Sequence, residues 1–308
     1  MNLLIYLMHR DLALHTPPKC SYYPRLTCQF MQLMKMTFNV TPLHDVVLPP
    51  LSSKVLKYLV LSQQVLPFLE ELVRSKDKQK PIFISNLALD GKRLYSRGEP
   101  ITVKAKTRLT GSVTFPFSKE AFNVGGGRVK TVYGEYEISL KEVSVLDETP
   151  STSTRGNLRV SFLTPALLSS KIYLPPFLRD KYRRKKIGFS LIPTPGLIVA
   201  YGYRQYLALL GKTDSYENDI KTFKLLVMAN ALSRVVGYRL YPETVVIGED
   251  EKGRLRLTRG VKGWIEFDVV GKLKESAAKY LEVASFLGIG RSRGIGLGEV
   301  HFKVVERG

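Results

Sequence analysis

Gly288-Ile289-Gly290-Arg291-Ser292-Arg293-Gly294-Ile295-Gly296-Leu297-Gly298 is the stretch on which the reading of this chain turns. Five of its eleven residues are glycine and two are arginine. It lies between an apolar run with helical spacing, residues 277–287, and a short alternating segment, residues 299–305. Glycine adopts positive φ without steric cost and lets backbone approach a ligand. Successive free amides then make an anion-binding concavity. Guanidinium groups add bidentate donors suited to phosphate. The pattern predicts a phosphate-rich partner contacted by Gly288, Gly290, Arg291, Arg293, Gly294, Gly296 and Gly298. A glycine turn with no ligand is the plainer alternative, and the two arginines count against it.

Nucleotide-binding loops fit poorly. A dinucleotide fingerprint or a P-loop follows a strand and opens a helix. This loop runs from a helix into a strand, and no Gly-Lys-Ser/Thr follows it.

The chain has 308 residues, enough for two domains, and 44% apolar content supports real cores. Its net charge of +20 points to a polyanion, with nucleic acid the first choice. Residues 151–308 hold 27 basic and 14 acidic side chains, whereas residues 36–150 hold 16 and 12. The second half should therefore dominate long-range attraction to a phosphate backbone. Residues 179–186 add six basic side chains in eight positions, with Arg183, Arg184, Lys185 and Lys186 as candidate nucleic-acid contacts. The two cysteines, Cys20 and Cys28, show no zinc spacing and cannot staple the bulk of the chain. No apolar run reaches eighteen residues, so no membrane span is expected, and a cytoplasmic setting is. No carboxylates are paired in a metal-binding pattern, and neither metal nor cofactor is expected.

Residues 1–35 differ in composition from the rest, holding both cysteines and four of the six methionines. They read as an extension outside the fold. Residues 36–150 form a first domain. A strand is expected over residues 36–43, a helix capped by Ser52 or Ser53, then strands over residues 101–117 and 129–145. Residues 147–157 are the linker, and residues 151–308 form a second domain. Its expected helices cover residues 197–210, 220–236 and 273–287, and its strands residues 158–164, 240–247 and 254–269. Strand, helix, strands, helix, strand recurs in each half, and Leu51-Ser52-Ser53-Lys54 is echoed by Leu168-Ser169-Ser170-Lys171. The order suits an α+β fold of tandem ferredoxin-like domains, β-α-β-β-α-β each.

The order Gly288-Ile289-Gly290, five residues with arginine, then Gly296-Leu297-Gly298 resembles the C-terminal glycine-rich motif of the CRISPR-associated repeat-processing endoribonucleases. These belong to the repeat-associated RNA-binding superfamily. The resemblance covers the chain from about residue 36 onward. It implies two ferredoxin-like domains and CRISPR repeat RNA as partner, both as precursor and as processed guide. It also implies metal-independent cleavage through the RNA 2′-hydroxyl, leaving a 2′,3′-cyclic phosphate and a 5′-hydroxyl. A homodimer and hand-over to a multi-subunit effector complex are left open. So is a non-catalytic RNA-binding subunit on the same fold.

Many members of that family carry a histidine on the first helix, and this chain does not. Its histidines are His9, His15, His44 and His301. The first two lie in the extension, His44 follows the first strand, and His301 lies on the last. The chain is similar instead to the histidine-less branch of the family, in which lysines and an arginine replace the histidine. The matching positions are Lys54 and Lys57, three apart on one helix face, and Lys80 before the apolar segment that starts at Pro81. Unperturbed lysine has a pKa of about 10.4, so these residues suit charge stabilisation and leaving-group protonation better than base work. Arg259 is the expected clamp on the scissile phosphate, with Arg256 second. Trp264 is expected in the core.

Overall fold

The computed structural model describes residues 32–61, 65–75, 79–124, 126–146, 155–179, 181–182, 184–185, 187–213 and 215–306. Residues 1–31 of the extension, most of the expected linker, and Arg183 and Lys186 of the basic run lie outside the described residues.

The first domain opens with strand β1, Leu33–Pro42, three residues before the expected start at residue 36. Met34, Met36, Phe38 and Val40 alternate into the first core, as period-two strand geometry requires. Leu33 packs the other way, against Leu209, Val283 and Leu287 of the second domain. Helix α1, Ser53–Leu61, follows, and buries Val55 and Leu56 on the same core. Each such side chain contributes roughly 1.5–3 kcal/mol when fully buried. A short helix α2, Glu70–Arg74, and strand β2, Phe83–Ile84, lead on to β3, Leu109–Pro116. Strands β4, Gly127–Thr131, and β5, Gly134–Leu146, complete the domain. β1 is central, antiparallel to β3 on one side and to β5 on the other. The second helix of the expected unit is here one 3-10 turn, Lys119–Asn123.

The second domain keeps the full pattern. Strand β6, Asn157–Ala166, is followed by helices α3, Pro195–Leu209, and α4, Tyr216–Ala231. Then come β7, Ser233–Glu249, β8, Leu255–Val269, α5, Leu273–Leu287, and β9, Val300–Val305. The sheet order is β7-β8-β6-β9, the antiparallel order of a ferredoxin-like unit. Thr194 caps α3, its hydroxyl accepting from the Leu197 amide at 3.3 Å, with Pro195 at the first helical position. The expected helix over residues 220–236 ends earlier, at Ala231. The β-branched pair Val235-Val236 goes into β7 instead, where stiff side chains suit the pleat.

Besides the packing of Leu33, apolar and ionic contacts join the two domains. Leu51 and Tyr95 pack on Leu167, Val245 and Leu297. Arg93 grips the buried carboxylate of Glu299 with two donors, one of them Nε at 2.7 Å. Glu243, also buried, accepts from the Tyr95 hydroxyl at 2.6 Å and from Arg97 Nε at 3.1 Å.

Candidate active site

Helix α1 carries Lys54 and Lys57, and its first turn is fixed by groups from outside the helix. Ser52 does not cap it. The Ser52 hydroxyl donates to the Leu94 carbonyl and accepts from the Leu87 amide at 2.9 Å. The cap comes from Asn86, whose side-chain oxygen accepts from the Ser53 amide at 3.1 Å. The Asn86 side-chain NH₂ donates to the Gly296 carbonyl at 2.8 Å, and the whole residue is buried. Asn86 was not among the sequence candidates. Its signal was a lone amide inside the apolar segment Ile82 to Leu89, where an unpaired polar group would be costly.

The glycine loop is packed closely against protein. Gly288, Gly290, Gly296 and Gly298 all have positive φ. Their missing Cβ atoms, however, face protein rather than open space. A Cβ on Gly290 would stand 2.7 Å from the Leu167 carbonyl oxygen, and one on Gly296 would stand 2.5 Å from the Asn86 side chain. The amides of Ile289, Arg291, Gly296 and Gly298 donate to the carbonyls of Gly298, Leu167, Arg293 and Pro165. Gly288 and Gly296 therefore allow close packing on Phe83 and Asn86 of the first domain, Gly290 and Gly298 close packing on Leu167 and Ile289 of the second, and these amides are spent internally. Gly294 is the exception, with nothing within 4 Å of its Cβ position. Arg293 is also turned inward. It is 6% exposed and donates to the Leu287 carbonyl at 3.0 Å and to the Lys80 carbonyl at 3.2 Å. Positive φ at Ser292 reverses the chain between the two arginines, and Arg291 stays exposed.

Lys57 and Lys80 come together. They line one cavity of about 200 Å³ with Ile84, Ser292, Gly294 and Ile295. The Lys80 ammonium donates to the carbonyls of Val73, at 2.5 Å, and Ser75, at 2.9 Å, closing the end of α2. Lys54 lies one turn back on α1 and faces the second domain. Its Nζ is 3.5 Å from the Cβ position of Gly248 on β7. Gly248 is paired with Arg256 across the β7–β8 ladder. Burial lowers the Lys54 pKa below the ordinary lysine range, Lys57 and Arg256 push it the same way, and Glu249 opposes them.

The two arginines of β8 face opposite ways. Arg256 and Thr258 lie on one face of β8, with Thr258 paired to the buried Val245 that packs on the first domain. Arg259 alternates to the opposite face, exposed beside Thr244. Trp264 is only half-buried. Its ring carries the Arg159 guanidinium at 3.8 Å on the outer face of the second sheet. His44 and His301 are exposed, His44 in the bend after β1 and His301 on β9. Arg184 and Lys185 are exposed as well. Among the described residues, no group of three or more His, Cys, Asp or Glu side chains is arranged to hold a metal ion. Among them too, no helix is long and apolar enough to cross a membrane.

Paired ferredoxin-like domains, a lysine-lined cleft at their junction and a glycine-rich loop before the last strand make up the Cas6 fold. A model of the Cas6 N-terminal domain matches residues 34–146, and one of CRISPR-associated endoribonuclease Cas6 matches residues 160–300. CRISPR-associated endoribonucleases Cas6 1 and Cas6 2 of Saccharolobus solfataricus are each 45% identical to the chain. The matches cover 89% of this chain and 98% of each relative. A solved Cas6 of Thermus thermophilus superposes with TM-score 0.57 at 15% identity, over 89% of this chain and all of that one. A Cas6 product complex gives 0.57 at 16% identity, over 88% of this chain and 99% of that one. The chain belongs to the Cas6 family of CRISPR-associated endoribonucleases, and it processes CRISPR precursor RNA into guide crRNA. That membership sets aside the alternative of a non-catalytic subunit.

Proposed function

We propose that the chain cuts CRISPR repeat RNA without a metal ion, and that it does so with lysines in place of histidine. The observation that carries this reading is the cluster of Lys54, Lys57 and Arg256 at the domain junction, combined with His44 and His301, both exposed and neither lining the lysine cavity.

In the reaction, the 2′-oxygen attacks the adjacent phosphorus as its proton passes to Lys54 Nζ. The P–O5′ bond breaks, and the leaving 5′-oxygen takes a proton from the Lys57 ammonium. The products are a 2′,3′-cyclic phosphate and a 5′-hydroxyl, and proton exchange with solvent resets both lysines. A lysine held below its ordinary pKa has a larger neutral fraction near pH 7, which suits Lys54 to the base role. Arg256, on the same side of the hairpin as Lys54, clamps the charged phosphate. Lys80 adds positive potential from the cavity wall, and Arg259 holds RNA further along the hairpin. Arg291, Gly294 and the basic segment with Arg184 and Lys185 guide the strand, while the remaining loop glycines keep the cleft in shape. Exposed Met228, Leu232, Val235 and Val236 along α4 and the edge strand β7 support self-association. The product, a guide RNA, is suited to hand-over to a multi-subunit CRISPR complex in the cytoplasm.

Cleavage of repeat RNA in EDTA tests the reading, alongside the same RNA with a single 2′-deoxy nucleotide 5′ of the cut. Persistence of the first and loss of the second are expected. Cleavage of the deoxy RNA would remove the proposed nucleophile and end the mechanism.

A further inference from the structure

A second cavity adjoins the lysine cavity, with Ser292 in the wall of both. Its volume is about 450 Å³, inside the range of about 300–1,000 Å³ for ligand sites. Gly290 and Arg291 of the glycine loop form one wall, Ser169 and Lys171 a second, and Arg204 and Gln205 of α3 a third. Arg179 also reaches it, and among the described residues no Asp or Glu lines it. The Asp219 carboxylate is shared by two of the lining guanidiniums, Arg179 at 2.6 Å and Arg204 at 2.8 Å. One negative charge on two cations leaves the site positive. Among the described residues no carboxylate pairs with Arg291.

Two buried atoms here lack a hydrogen-bond partner among the described residues, Gln205 Oε1 and Arg179 Nη2. Gln205 is 4% exposed. One atom needs a donor and the other an acceptor, and buried polar groups are costly to leave unmet. A phosphodiester group alone, which has no O–H, would answer the guanidinium but not the amide oxygen. A nucleotide answers both, with phosphate oxygens that accept and a ribose hydroxyl or base N–H that donates.

The sequence echo fits the same place. Leu51-Ser52-Ser53-Lys54 and Leu168-Ser169-Ser170-Lys171 each follow the first strand of their domain. The first carries Lys54 to the reaction site, and the second carries Lys171 to this cavity.

We propose that this cavity seats one unpaired nucleotide of the substrate RNA adjoining the scissile linkage. Its phosphate lies against Arg291 and Arg179, and its ribose or base donates to Gln205 Oε1. The pocket makes the enzyme selective for the strand beside the cut as well as for the cut itself. The proposal rests on the RNA-cleavage reading, because the shared Ser292 wall is what makes this nucleotide a neighbour of the one attacked.

The test is a scan of single abasic and single 2′-deoxy substitutions across the positions flanking the cut. Binding is measured for the unaltered chain, Gln205→Leu and Arg291→Ala, on RNAs made uncleavable by a deoxy nucleotide at the cut. At one position, substitution should weaken binding about tenfold to the unaltered protein. The same substitution should add little to the loss already caused by Gln205→Leu, and Arg291→Ala, an exposed change that spares the fold, should mark the same position. If Gln205→Leu lowers the melting temperature, Gln205→Met, which keeps the side-chain length, takes its place. Fully additive losses at every position would overturn the proposal. Cleavage of the unmodified RNA in EDTA is run beside the scan. Its failure would sink the reading of the reaction, whereas cleavage without any coupled position would sink only the pocket.

Discussion

Asn86 and Gly296 are joined by a hydrogen bond of 2.8 Å from the asparagine side-chain NH₂ to the glycine carbonyl, across 210 positions of sequence. The same amide caps α1 through the Ser53 N–H. One buried side chain thus fixes the helix that carries Lys54 and Lys57 relative to the loop that walls their cleft.

Asn86→Ala should therefore lose stability and activity together. Removing the amide strands a buried N–H and a buried carbonyl, at about 1–3 kcal/mol each. Thermal melting should fall, and single-turnover cleavage should drop even well below the melting point. Normal values for both would show that the bond has no organising role.

The glycines separate into two groups. Gly296→Ala places a Cβ 2.5 Å from Asn86 at a φ of +81°, so it should destabilise the chain. Gly294→Ala meets nothing within 4 Å and should leave melting unchanged. Equal melting temperatures for the two variants would contradict the packing role assigned to Gly296.

The pH dependence of cleavage carries a sign. Lys54 acts as base in its neutral form, so the rising limb of the rate profile follows its deprotonation, below the ordinary lysine value of about 10.4. Arg256 lowers that pKa and Glu249 raises it. Arg256→Ala should thus move the profile to higher pH, and Glu249→Gln should move it to lower pH. Shifts in the opposite directions, read in single-turnover pH profiles, would take the base role from Lys54.

The segment before the first strand should be dispensable only as far as residue 31. A chain starting at Gln32 keeps Leu33 and Met34 in place. A chain starting at Met36 loses both fully buried side chains, each worth roughly 1.5–3 kcal/mol. Equal denaturation midpoints for the two chains would show that these contacts do not matter.

Most of the architecture was legible because it rests on periodicity. Helix α5 matched its expected span, and β8 began one residue later than expected, since their apolar spacing has no competing reading. β1 was cut short because Leu33 faces the second domain, which interrupts the alternation. The site was harder to read. Sequence gives the spacing of Arg291 and Arg293 but not the reversal at Ser292, so an internal tie and an exposed cation look alike. It likewise gives glycines without saying what their missing side chains face. Arg256 and Arg259 could be ranked only once the pairing with β7 set which of them faces Lys54.

Single-turnover cleavage of repeat RNA at saturating enzyme in EDTA, comparing Lys54→Ala with His44→Ala, tests the central claim most directly. The account predicts that Lys54→Ala slows cleavage by about 10²–10⁴, the range for a lost general base, while RNA still binds. It predicts little change for His44→Ala. A large loss in His44→Ala beside near-normal cleavage by Lys54→Ala would return the chemistry to histidine and contradict the account.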